Sequence, residues 1–415
     1  MQPELTQCYI PIVRSLRAAS RIVFWLALPC CAAAQHINLE HAGRLVSIAN
    51  PQISPDGKSV VVSVTRANFR NNLFETQMVR VDVATKGQTV LTSRNARQHQ
   101  FSPDGRSHAF LSPVEGRPQI FILPVSGGPE RQVSRSATGV SQYAWWPDSQ
   151  AIAFVSQEEP PKVTGDERHN LAFEADVGYT RSKFTRSSHL WLVASGGGEA
   201  KRLTSGDWSV GPEDDLHWLP DGKRIVFSHY PGASDRLLRV PSISALELQS
   251  GVVTPWRESF GRNQFLGFSP GGRHLLYRKQ DGLWTSLVAG DQDTKITNGL
   301  DLTMTAARWT PNGKSINFRG LRGPQPSLWV QPLDGPARGL LLGNPTRSFH
   351  LAPNGNLAVV GSECHHPAEL YFLKTLESSP ERLTDFNAPI RALDLGKQEP
   401  FEWRSLTITT ASASS

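Results

Sequence analysis

Few residues in this chain are of the types that do covalent or metal chemistry, and their spacing argues against most of it. Cys364-His365-His366 sets a thiol beside two imidazoles, the ligand types of zinc. Neighbouring strand residues point to opposite faces, however, so the three cannot converge on one ion, and His366-Pro367 reads as part of a hairpin. No metal site and no cofactor are expected. A serine nucleophile needs an oriented base and, in its commonest sequence form, a Gly-x-Ser-x-Gly elbow. Gly-x-Ser occurs at Gly57, Gly105, Gly139, Gly232 and Gly313, but the fifth residues are Val61, Ala109, Tyr143, Arg236 and Asn317. Catalysis by this chain is therefore not expected. The remaining candidates are carboxylates: the pair Glu158-Glu159, which runs straight into Pro160-Pro161, and Glu174 in His169-Asn-Leu-Ala-Phe-Glu174. The plain alternative for all three is a solvated loop.

The elements that would position such residues are read from one recurring turn. Ile53-Ser54-Pro55-Asp56-Gly57-Lys58 combines a proline that pre-sets a turn angle, an acid that bonds back to the backbone and a glycine that tolerates positive φ. Apolar β-branched residues follow at once, as in a strand. The pattern returns with its proline at 103, 147, 220, 270, 311 and 353, in steps of 48, 44, 73, 50, 41 and 42 residues. Most copies follow a large apolar residue; Trp146, Trp218 and Trp309 hold that place in three of them and are expected in the core. Each repeat has a second half, a strand such as Ile120-Phe-Ile-Leu-Pro-Val125 leading into a short one that often ends in Leu-Thr. A period of roughly 40–50 residues made of strands and turns is the mark of propeller blades. The expected fold is all-β, a seven-bladed β-propeller of four-stranded, WD40-like blades over residues 48–404. The long third step places an excursion between Gln157 and Ser188, on one face of the ring.

Composition agrees with a soluble repeat fold: 39% hydrophobic, 19% charged, 34 Gly and 30 Pro among 415 residues. Residues 1–34 read as a signal peptide, with Arg14, Arg17 and Arg21 before the apolar run Ile22–Leu28 and Ala32-Ala33-Ala34 at the cleavage site. An uncleaved anchor is the alternative. A lipidated cysteine is not expected, because Pro29 and Cys30 are not the small residues that precede one. Cleavage would leave Cys364 as the one cysteine, exclude an internal disulfide, and lower the net charge from +6 to +4. The expected location is periplasmic or secreted, with no stable membrane span after cleavage. Scattered Lys and Arg exclude a nucleic-acid stripe. Residues 35–47 are a lead-in containing one helical turn, and 405–415 a disordered tail.

Several stretches together resemble the prolyl oligopeptidase family of serine peptidases, in particular its bacterial acylaminoacyl-peptidase and dipeptidyl-peptidase types. They are Asn50-Pro-Gln-Ile-Ser-Pro-Asp-Gly57, Ser188-His-Leu-Trp-Leu-Val193 with Arg202-Leu-Thr204, and His366-Pro367 with Glu369-Leu-Tyr371, Arg382-Leu-Thr384 and Glu399-Pro-Phe-Glu-Trp403. The resemblance covers about residues 38–404 and implies an N-terminal propeller that gates and selects peptide substrates. It also implies a C-terminal α/β-hydrolase domain bearing the catalytic triad. Only 12 residues follow Trp403, where such a domain needs on the order of 200. The reading is a non-catalytic propeller truncated before the hydrolase domain, with a peptide or protein ligand and a separately encoded hydrolase domain as partners. In dipeptidyl peptidases of this family, adjacent acids from the propeller grip the peptide's free amino terminus, a charge-assisted contact. The resemblance therefore makes Glu158, Glu159 and Glu174 the candidate substrate-binding residues. The alternative is a stand-alone periplasmic interaction propeller similar to that of the Tol system.

Overall fold

The computed structural model describes residues 38–393 except 160–170, 174–179, 183–185, 212–215, 233–241, 258–263, 280–281, 291, 298–299, 301–302, 323–324, 341–345 and 364–365. The signal-peptide, C-terminal-tail, Glu174 and Cys364-His365 readings, and most of the excursion after Gln157, lie outside the described residues.

The repeated turn folds as its chemistry dictates. In the first copy the Ser54 hydroxyl sits 2.6 Å from Asp56 Oδ1 and accepts from Ser59 N–H at 3.0 Å, while Lys58 N–H donates to Asp56 Oδ1 at 3.0 Å. The second copy repeats this with Ser102, Asp104 and Ser107, and the sixth with Thr310, Asn312 and Ser315. These hydrogen bonds hold the Asp56 and Asp104 carboxyls below the usual carboxylate range, the Ser hydroxyl contributing most in each and a backbone N–H next. Gly105 lies at φ 71°, and a Cβ there would meet Pro55 Cγ of the preceding turn at 2.7 Å. Glycine is thus required twice over, for its backbone and for its neighbour. Successive turns abut in this way around one end of the ring. The third copy replaces glycine with Ser149, at φ 66°, whose hydroxyl accepts from Asp104 N–H at 3.0 Å.

Among the described residues seven antiparallel blade sheets follow one another along the chain, and an eighth, two-stranded sheet (Leu171–Phe173 with Thr180–Ser182) lies between the second and third strands of blade 3. The innermost strands are Ser47–Ile53, Arg97–Phe101, Val140–Trp145, Ser209–Val210 with His217–Trp218, Gln264–Phe268, Thr303–Trp309 and Thr346–Leu351, in blades 1 to 7. The expected seven-bladed propeller is borne out. Second strands are buried on both faces, which explains their unbroken apolar runs. Val60, Val62 and Val64 pack against Leu370 and Phe372 of blade 7, whereas Val61 joins Phe110 and Phe121 of blade 2. Seven apolar clusters fill the seven interfaces between neighbouring blades, including that between blades 7 and 1.

The recurrent Leu-Thr has a structural cause. Fourteen residues after the acceptor's partner, a hydroxyl takes the third-strand N–H that the short fourth strand leaves unpaired. Ser134 accepts from Ile120 at 2.8 Å, and Thr204, Thr297 and Thr384 accept from Leu190, Leu283 and Leu370 at 2.9 Å. An unpaired buried donor would otherwise be costly.

Among the described residues no sheet takes strands from both chain ends. Side chains hold the seam instead. Helix α1 (Leu39–Gly43) leads into Val46, and α2 (Ala388–Arg391) follows Asn387. Asn387 is buried against Val46, and Ile53 N–H donates to His350 Nδ1 at 3.1 Å. The three tryptophans expected in the core are instead half-buried, while Trp145 is 6% exposed. Trp146 follows its inner strand directly before Pro147 and Trp218 ends its own two residues before Pro220, so both face the neighbouring turn: Trp146 stacks on Trp218 with centroids 5.1 Å apart, and a Cβ on Gly222 would lie 2.9 Å from Trp146 Nε1.

Candidate functional site

The inner strands wall a cavity of about 770 Å³ along the axis of the ring, lined from blades 1, 2, 3, 4, 6 and 7. It reaches Thr65, Thr76 and Asn95, at the end of the ring opposite the turns. Its wall is uncharged for the most part, with Arg97, Arg308, His99 and His350 as the basic members and no carboxylate among the described lining residues.

Bulges shape this wall. The pairing of inner and second strands shifts between Ala49 and Gln52, between Arg97 and Gln100, and between Thr305 and Arg308. At each shift a non-glycine residue has positive φ: Asn50 at 52°, Gln98 at 50° and Ala306 at 52°. All three stand five residues before the turn proline of their blade. Bulges re-aim side chains and recur beside binding sites, and left-handed backbone persists only where its surroundings hold it. Here the neighbouring blade supplies the hold. The Tyr143 hydroxyl lies 2.6 Å from the Gln98 carbonyl and 2.8 Å from that of Ala109. Burial pushes the Tyr143 phenol well above its ordinary value, so it stays a donor.

From the wall, His99 reaches back to His108: His99 Nδ1 and His108 Nε2 are 3.0 Å apart, both rings buried. Burial lowers His99 to about 3, with nearby His350 adding to it, and lowers His108 well below the usual imidazole range. His350 is lowered to about 4, by burial first and Arg308 second. These neutral rings are packing and hydrogen-bonding groups, not proton donors near pH 7.

At the opposite end, a cavity of about 580 Å³ between blades 1 and 2 is lined by Asp56, Asp82 and Asp104 with Lys58 and Arg80. Its carboxylates are spent on their own turns.

Glu158 follows the second strand of blade 3 (Ala151–Gln157), on the end of the ring to which the axial cavity opens. It is held on both sides: its N–H donates to Ser187 O at 2.8 Å, and Oε1 accepts from Arg202 at 2.6 Å and lies 3.5 Å from His189 Nε2. Glu159 is exposed. With His189 Nδ1 3.3 Å from the Thr204 hydroxyl, Thr204, His189 and Glu158 line up as nucleophile, base and orienter would. The likeness is structural. Thr204 is buried, it accepts the Leu190 N–H, and its counterparts Ser134, Thr297 and Thr384 do the same in other blades. Among the described residues no group of three metal-ligating side chains converges. The channel wall itself escaped sequence reasoning; the signal was an amide-bearing residue five before the proline in blades 1, 2 and 3, Asn50, Gln98 and Gln142.

The molecule is thus a seven-bladed propeller of contiguous blades around a polar axial channel, the fold class of peptidase propeller domains. No protein-family model matches the chain. Its sequence is similar to that of dipeptidyl-peptidase 5 from Porphyromonas endodontalis, with 25% identity over 267 residues, covering 59% of this chain and 39% of the relative. Dipeptidyl-peptidase 5 from Porphyromonas gingivalis is 23% identical over 389 residues, 86% of this chain and 57% of the relative. In fold it is similar to the Pyrococcus horikoshii acylaminoacyl peptidase, with TM-score 0.63 and 17% identity over 84% of this chain and 54% of that one. The propeller domain of the Pyrococcus furiosus Trilobed protease, described as having an open velcro topology, gives TM-score 0.60 and 16% identity over 84% and 98%. The resemblance to prolyl oligopeptidase-type propellers is borne out. The chain spans between about two fifths and three fifths of the length of these curated relatives.

Proposed function

We propose that this propeller is the non-catalytic, substrate-gating and peptide-selecting portion of a prolyl oligopeptidase-like serine peptidase, acting with a hydrolase domain that supplies the triad. The observation that supports this most is the axial channel, lined from six blades and by polar side chains from five of them. In this reading the channel, walled by inner strands, admits an extended peptide and holds back a folded protein. Glu158 and Glu159 stand at the same end as its mouth, and Glu159 is the exposed acid there that a peptide's amino terminus would meet.

Fluorescence anisotropy with unstructured peptides and a small folded protein of matched charge tests the reading. The peptides bind, the folded protein does not, and a fluorophosphonate probe for active serines leaves the chain unlabelled. Failure of every peptide to bind overturns the gating role, and labelling overturns the non-catalytic one. Acetylating the peptide amino terminus weakens binding if Glu159 meets it.

A further inference from the structure

Part of the channel wall is built from carboxamides. Counting back from the turn proline, the fifth residue is Asn50, Gln98 and Gln142 in blades 1, 2 and 3, and the third is Gln52 and Gln100 in blades 1 and 2. All five line the axial cavity. Gln142 spends its N–H on Gly211 O at 2.6 Å, and Asn50 Nδ2 reaches His99 O only at 3.5 Å. The side chains of Gln52, Gln98 and Gln100 make no hydrogen bond among the described residues. Four amide groups on two adjacent blades are therefore turned toward the channel with bonding capacity to spare.

A carboxamide offers an acceptor oxygen and two donor hydrogens without charge, the same groups that a peptide unit presents along its main chain. A ligand that displaces water from this wall must satisfy those groups. The backbone adds an independent observation: Asn50 and Gln98 hold the left-handed conformation at the same place in their repeats. Ala306 holds the same conformation in blade 6, so the bulge belongs to the inner strand, and in blades 1 and 2 it carries an amide at that place. A polyol could also bond to amides, but sugars additionally stack on open aromatic faces. The one phenol, phenyl or indole ring in the described lining, Tyr143, is 6% exposed with its hydroxyl tied to blade 2.

We infer that blades 1 and 2 form a main-chain-reading subsite, in which Asn50, Gln52, Gln98 and Gln100 pair with the amides of an extended peptide regardless of its side chains. The inference rests on the peptide-gating reading above and gives it a selection rule. The channel discriminates by backbone exposure, accepting any unstructured segment whose N–H and C=O groups are free and refusing chains whose groups are already paired. Alternate residues of an extended peptide point to one side, so two tiers of amides two residues apart suit its repeat.

The test compares a fluorescein-labelled Ala/Ser octapeptide with the same sequence N-methylated at alternate backbone nitrogens, on the unaltered chain. The plain peptide binds at least tenfold more tightly. Equal binding overturns the main-chain subsite and leaves the gating role standing, whereas absence of binding by both overturns the gating reading and this one with it. The Gln98→Leu, Gln100→Leu double variant, checked for an unchanged circular dichroism spectrum, loses about tenfold in affinity for the plain peptide and nothing for the methylated one. Displacement of the peptide by maltohexaose would also overturn the inference, reassigning the amides to a polyol.

Discussion

The side chain of Asn387 holds both backbone groups of Val46: its Oδ1 accepts from Val46 N–H at 2.8 Å and its Nδ2 donates to Val46 O at 3.0 Å. It imitates one rung of a sheet ladder between residues 341 positions apart. The same Nδ2 reaches Ala368 O at 3.1 Å, and the Asn387 N–H is held by the buried Glu369 carboxylate at 2.8 Å. The junction of blades 1 and 7 is thus latched by one buried amide.

Replacing that amide strands buried groups on both sides of the seam. Asn387→Ala lowers stability by about 2–4 kcal/mol, since each lost bond is worth ~1 kcal/mol and orphaned partners cost more. The midpoint of urea unfolding measures it, and a change under ~0.5 kcal/mol would show that apolar packing alone keeps the seam shut.

Turn glycines divide into those a side chain can and cannot replace. Gly105→Ala combines φ 71° with a 2.7 Å approach to Pro55 and costs about 1–3 kcal/mol. Ser149→Gly relieves φ 66° but loses the bond from Asp104 N–H, so the two effects offset to within ~1 kcal/mol. Thermal melts of the two variants side by side separate these expectations.

The hydroxyl caps are not equivalent. Thr297→Val leaves the Leu283 N–H unpaired and costs about 1–3 kcal/mol. Thr384→Val costs more, because that hydroxyl also donates to Glu369 Oε2 at 2.6 Å. Hydrogen exchange checks the cause as well as the size: the Leu283 and Leu370 amides lose protection in the respective variants.

His350 makes the fold sensitive to mild acid. Its folded value of about 4 lies below the ordinary 6.5, so the unfolded chain takes up the proton first. The stability this neutral ring supports is complete above pH 6.5 and is lost as pH falls toward 4, where the Nδ1 that accepts from Ile53 N–H becomes protonated. His350→Gln keeps an acceptor without a titrating proton. Urea midpoints across pH 4–7 then fall less steeply than in the parent, and an unchanged slope would remove His350 from the account.

A second acid window belongs to the turns. Asp56 and Asp104 titrate below their ordinary 3.8, so their hydrogen bonds are at full strength above that value and are lost as pH drops further below it. Blades 6 and 7 already use Asn312 and Asn354 in the same place. Asp56→Asn with Asp104→Asn therefore folds and flattens the loss of stability below about pH 4, measurable as a shallower fall in melting temperature.

The blades were legible because their turns are built from short-range chemistry: Pro55, Asp56 and Gly57 declare their conformation within a few residues, and the period repeats it. What was not legible depends on long-range neighbours. Nothing local to Asn387 announces a partner more than three hundred residues away at Val46. The channel amides were hidden because a bulge breaks the simple alternation of an inner strand, so Asn50 and Gln98 reach the axis by positive φ and not by parity. Trp146 and Trp218 misled for the opposite reason, since size alone suggests the core while their place at the strand-to-turn junction stacks them on each other at the rim. Glu158 was visible as an acid, but its Arg202 partner, 44 residues on, came only from the pairing of strands.

Seven blades, each sequence-contiguous, with a seam of side chains, make the starting point of the polypeptide a matter of convention. A circular permutant that joins the neighbourhood of Asn387 to Val46 by a short linker, and opens the chain at Ser205-Gly206 between blades 3 and 4, would keep every strand pair. The ring carries its own rotational phase, and where translation begins around it is free to vary.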